Sequence, residues 1–132
     1  MGRTLRLLCI AFICSCCATA PQPAPFGAIR FEPEPWYRLL YDNAKACVIA
    51  AGRTPREGSE YEPIIWLEVA HKRAPGWVGL WSWPNRIYLD EQYVMHPYVV
   101  RHELTHHLLG GGFLDDAHQD PVFKACTEAP YP

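Results

Sequence analysis

His102 and His106 stand four residues apart in the run HELTHH, with Glu103 beside the first of them. On a helix that spacing puts both imidazoles on one face, about one turn apart, where each can reach a single cation at the roughly 2.0–2.1 Å that zinc requires. Glu103 lies about 100° round the helix from His102, a poor place for a third ligand. It is a good place for a general base. A carboxylate there can take the proton of a water acidified by the metal and pass it to the amine that leaves a cleaved amide. Zinc would let this run near neutral pH, because it lowers the pKa of bound water to roughly 7. The flanks suit a buried helix: Val99 and Val100 precede the run, Leu104 and Thr105 lie inside it, and Leu108 and Leu109 follow. A surface helix carrying the same letters by chance would be flanked by charge.

A catalytic zinc site takes three protein ligands and leaves one position open. His118 is the expected third ligand. It follows the Gly110-Gly111-Gly112 turn, which lets the chain double back, and it stands just before a capped helix that would fix its backbone. Asp115 and Asp116 compete with it, since a carboxylate can ligate zinc, and Asp116 could instead orient an imidazole. His107 is rotated off the ligand face and reads as a solvated or supporting histidine; His96 and His71 read as structural or exposed. Tyr93 and Tyr98 are close enough in sequence to offer a hydroxyl to an oxyanion, and nothing selects between them. Trp77, Trp81 and Trp83 could stack on sugar rings, although aromatics alternating along a strand more commonly pack a sheet face.

The elements that must position these residues are legible from periodicity. The segment from Pro35 to Ala51 places Trp36, Leu39, Leu40, Ala44, Cys47 and Val48 at helical spacing and can stop at Gly52. Residues 64–70 (IIWLEVA), 76–83 (GWVGLWSW) and 85–91 (NRIYLDE) read as three strands of a small antiparallel or mixed sheet. A helix opening at Pro97 carries HELTHH to the glycine stop. Asp120-Pro121 then starts a short last helix that holds Cys126. The fold class expected is α+β.

At the N-terminus, Arg3 and Arg6 precede the apolar run Leu7 to Cys17, too short to span a bilayer but suited to a secretory signal. Two processing readings compete: a small-x-small site at Ala18-Thr19-Ala20, disfavoured by Pro21 after the cut, and a lipobox-like Ile13-Cys14-Ser15-Cys16, in which Cys16 would be lipidated. The second is favoured and points to a bacterial envelope protein on the outer membrane facing the periplasm; secretion is the alternative. Residues 1–17 are then a leader, 18–30 a Pro-rich tether and 31–132 the domain. Only Cys47 and Cys126 fall in that domain, and in an oxidising compartment they would form one disulfide. Its long loop makes it worth about 4 kcal/mol by chain entropy. The net charge of −2 at neutral pH offers no phosphate-neutralising surface, so nucleic acid is not an expected partner.

With HELTH between aliphatic flanks, a downstream histidine in HQDPVFKAC and the aromatic Phe123 opening a helix after it, the chain resembles the zincin metallopeptidases, in particular their short SprT-like and minimal forms. The metzincin continuation is missing, since no histidine follows six residues after His106. The resemblance implies zinc held by His102, His106 and His118, Glu103 as the base, and an edge strand just before the motif helix, here NRIYLDE, that aligns an extended peptide. It implies a minimal zincin-like architecture of support helix, three-stranded sheet, motif helix and C-terminal helix. The function expected is zinc-dependent hydrolysis of peptide bonds in an envelope substrate; the alternative is a zinc-binding envelope lipoprotein without catalysis.

Overall fold

A computed structural model describes residues 25–111 and 116–128. The leader, most of the tether and Asp115 lie outside the described residues. Seven regular elements follow in order: β1 (Ile29–Arg30), α1 (Pro35–Ala50), β2 (Ile65–Val69), β3 (Gly79–Ser82), β4 (Arg86–Asp90), α2 (Pro97–Leu109) and α3 (Pro121–Glu128). The class is α+β, as expected. None of the described helices is long and apolar enough to cross a membrane.

The sheet has four strands in the order β1-β2-β4-β3, one more than the three expected. The extra strand, β1, lies in the stretch read as tether: Ile29 pairs with Glu68 and Arg30 with Leu67, antiparallel, along the outer side of β2. A two-residue strand is too short to show a period, which is why composition hid it. β2 and β4 are parallel and β3 and β4 antiparallel, so the sheet is mixed. The expectation that NRIYLDE forms the edge is corrected. β4 sits between β2 and β3, and Ile87, Tyr88, Leu89 and Asp90 are buried in succession, as in a strand covered on both faces. β3 is the edge strand on that side instead, with β1 at the opposite edge.

α1 begins with proline in its first turn and buries Tyr37, Leu40, Tyr41, Ala44 and Val48, which recur at the helical period. The stripe is rotated from the one expected: Leu39 is 58% exposed, and the two tyrosines take the inward positions. Tyr41 can do so because its hydroxyl donates to the Ser59 carbonyl at 2.9 Å. Gly52 adopts φ 78°, the left-handed turn that ends the helix. α2 is buried nearly all round, with Val99, Val100, Leu104, Thr105 and Leu108 inside, and it packs against α1, β3 and α3. It is the central element. Gly110, at φ 75°, returns its N–H to the His106 carbonyl and stops the helix where the glycine run predicts.

α3 is held at both ends. The Asp120 carboxylate accepts the Val122 N–H at 2.8 Å, capping the helix, and pairs with Arg53 at 2.9 Å. Those hydrogen bonds, the backbone one first, hold the Asp120 carboxyl below the usual range. Further along, Cys126 is joined to Cys47 of α1 by the expected disulfide, across 79 residues of sequence.

Candidate metal centre

α2 carries His102 and His106 on one face, and the short turn Asp116–Gln119 brings His118 back over them. The Nε2 atom of His118 lies 3.1 Å from Nε2 of His102 and 3.1 Å from Nε2 of His106. Three nitrogens bound to one zinc in a tetrahedral arrangement at 2.0–2.1 Å stand about 3.3 Å apart, so this spacing suits the ion. The donor set also suits it, because imidazole nitrogens are common zinc ligands and these three offer their ligand atoms to one point. Among the described residues, these three form the cluster of ligand atoms that could hold a metal. Asp116 is exposed and is not part of it.

Packing fixes the rings. Phe123 of α3, 2% exposed, stands 4.4 Å from the His106 ring, 5.0 Å from His102 and 5.2 Å from His118, centre to centre. Its neighbour three residues on is Cys126, so the disulfide holds this ring in place. Burial, and then the charge of His118, pushes His102 down to about 4, which keeps it a neutral imidazole fit to ligate.

Glu103 lies against Gly79 of β3, is 4% exposed and lines the same cleft as the three histidines. A side chain at Gly79 would place a carbon 2.6 Å from the Glu103 Oε1, so glycine there opens the notch the carboxylate occupies. The carboxylate accepts the backbone N–H of Trp81. That N–H is available because the Asp90 N–H bonds the Val78 carbonyl at 3.0 Å: alternate residues of β3 face β4, and Gly79 and Trp81 turn their main-chain groups outward. Burial raises the Glu103 carboxyl to about 8, against the lowering effect of the Trp81 bond. A dication beside it would favour the ionised form.

The space over the site is a cleft with two arms. One, of about 420 Å³, is walled by Pro75, Leu80 and Trp81; the other, of about 330 Å³, by Val78, Tyr98 and Val99. Both reach His102, Glu103 and His118, and both share Trp77. Of the two tyrosines weighed from sequence, Tyr98 therefore borders the site, its ring 6.2 Å from that of His102, while Tyr93 packs on His96 at 5.9 Å. Of the tryptophans, Trp81 packs in the core, Trp77 walls the cleft and Trp83 lies 64% exposed.

His107 is fully buried rather than solvated: its Nε2 lies 3.0 Å from the Glu60 carbonyl, and it ties α2 to the loop before β2. Arg56 is a functional support that sequence reasoning missed. Its backbone N–H bonds the Leu108 carbonyl at 2.7 Å and its Nε the His107 carbonyl at 3.2 Å, satisfying two carbonyls in the last turn of α2. Its guanidinium lies over the Trp83 ring, 4.7 Å from the centre. No local pattern marks Arg56, but Gly79 carried a readable signal, as a lone glycine in a strand marks close approach by another group. His71 is structural and exposed, as expected, with Nδ1 2.5 Å from the buried Asp90 carboxylate at the start of the loop that ends in Trp77.

No protein-family model, curated protein or solved structure matches the chain.

Proposed function

We propose that the protein is a zinc-dependent peptidase of minimal zincin-like architecture. The observation that carries the reading is the convergence of the His102, His106 and His118 nitrogens beside a buried carboxylate that lies against an edge strand. His102, His106 and His118 would hold the ion, which when bound supplies Lewis acidity, acidifying water and polarising a carbonyl.

The remaining chemistry falls to the chain's own groups. Glu103 accepts the proton of the attacking water at a carboxylate oxygen and delivers it to the leaving amine nitrogen. Gly79 and the Trp81 N–H aim that carboxylate. An extended peptide pairs with the outward main-chain groups of β3 other than the Trp81 N–H that Glu103 takes, the edge role expected of NRIYLDE falling to GLWS. Phe123 keeps water from the far side of the imidazoles and fixes their orientation, as an apolar surround does in such sites. The domain works in the bacterial envelope on peptide or protein substrates, tethered through a lipidated Cys16.

Zinc-loaded domain should hydrolyse an unstructured protein, and Glu103→Gln should abolish cleavage while zinc stays near one per chain. A wild-type protein that holds one zinc and cleaves nothing across broad peptide mixtures would establish the non-catalytic zinc-binding lipoprotein instead. Cleavage that survives Glu103→Gln would place the base elsewhere.

A further inference from the structure

We propose that the site selects a peptide bond flanked on both sides by uncharged, apolar residues, with Trp77 as the shared wall that imposes this; the inference rests on the peptidase reading above. The two arms of the cleft meet over Gly79 and Glu103, so a substrate whose scissile bond lies there sends one neighbouring side chain into each arm. Among the described residues, apart from the three histidines and Glu103, those that wall the arms carry no ionisable group but the phenol of Tyr98. A charged substrate side chain directed along either arm, away from Glu103 and the ion, would leave water without gaining a counter-charge from these walls, and that is strongly unfavourable. An apolar one would cover Leu80 and Trp77 on one side, or Val78 and Tyr98 on the other.

The walls are built to keep their shape. Trp77 is braced from behind by Phe26, ring centres 5.6 Å apart, and Phe26 in turn abuts Tyr88 of β4 at 6.1 Å. The loop that delivers Trp77 is pinned at its start by His71, through Nδ1 to Asp90 and through its backbone N–H to the Glu91 carboxylate at 3.0 Å. A braced aromatic between two apolar arms discriminates by shape and desolvation, without the adaptability of a loose loop.

The test is a position-scanned peptide library cleaved by zinc-loaded protein, with each residue beside the cleaved bond varied in turn. Peptides with Leu, Met or Phe on both sides should exceed those with Asp, Glu, Lys or Arg on either side by about tenfold or more in kcat/KM. Val78 is 42% exposed, so Val78→Lys should fold and should raise the acceptance of acidic residues on one side of the bond only. A merely structural effect would not produce that one-sided change. Comparable cleavage of peptides with charged flanks overturns the inference and leaves the peptidase reading standing. If no peptide is cleaved, the peptidase reading fails, and calorimetric titration with hydroxamates bearing apolar or charged side chains decides the inference separately. Tighter binding of the apolar series, weakened by Trp77→Ala, supports it, and equal binding of both series overturns it.

Discussion

Replacing Gly79 by alanine tests how the base is held. The added carbon would stand 2.6 Å from Glu103 Oε1, 2.9 Å from Cγ and 3.0 Å from Cδ, where ordinary contact begins near 3.4 Å. Three atoms of one carboxylate arm are crowded together, so the carboxylate must retreat by about 0.8 Å and loosen its bond to the Trp81 N–H. A displacement near 1 Å of a group that moves a proton costs on the order of a hundredfold in rate, equivalent to about 2.7 kcal/mol. The backbone of Gly79 is ordinary strand, so the substitution carries no left-handed strain and the domain should keep its fold. The three atoms nearest the new methyl all belong to Glu103, so zinc should remain at one per chain. The assay is kcat/KM on one fixed peptide, paired with zinc content and a thermal melt for each protein. A loss of about a hundredfold with metal and melt preserved is the result expected. Activity within twofold of wild type would refute the claim that Gly79 shapes the position of Glu103.

Arg56→Ala removes the Nε bond to the His107 carbonyl, the bond to Pro84 at 2.9 Å and the stacking on Trp83, and should lower stability by about 1–3 kcal/mol in denaturant unfolding. Arg56→Lys should recover little of it, because an ammonium cannot reproduce the planar fork; full recovery by lysine would show that charge alone matters. In protein stripped of metal by chelation, one buried and one half-buried group set opposite limbs of stability against pH. The folded Glu103 value of about 8 lies above its ordinary 4.5, so its contribution is complete below about 4.5 and is lost as pH rises through about 8. The folded His102 value of about 4 lies below its ordinary 6.5, so its contribution is complete above about 6.5 and is lost as pH falls through about 4. Glu103→Gln should therefore flatten the alkaline limb of a denaturation midpoint measured across pH, and a limb that persists would assign it to another group.

The residues that carry a period or a stop were legible in sequence. HELTHH between Pro97 and Gly110 could be placed on a buried helix because both boundary residues act through local backbone geometry. The Cys47–Cys126 pairing followed from having only two cysteines in the domain, and the structure contains it. What escaped depends on pairing across the chain. Whether GLWS or RIYLD forms the sheet edge is decided by which strand β2 accepts as its parallel neighbour, and no local window holds that choice. The uninterrupted burial of Ile87, Tyr88 and Leu89 is the trace it left, since a strand with one wet face would alternate. The rotation of α1 had a similar cause: Tyr37 and Tyr41 look amphipathic in sequence, and only the carbonyls they reach, Val94 and Ser59, make their burial favourable. His118 was chosen over Asp115 and Asp116 on backbone grounds alone, and its nitrogen does come within 3.1 Å of both motif histidines.

The central claim is that His102, His106 and His118 hold one zinc ion, and X-ray absorption at the zinc edge reads it directly. One zinc per chain with three imidazole nitrogens at about 2.0–2.1 Å, falling to two in His118→Ala, is the spectrum expected. Protein that takes up no zinc, or a wild-type spectrum of two or fewer imidazoles that His118→Ala leaves unchanged, would contradict it.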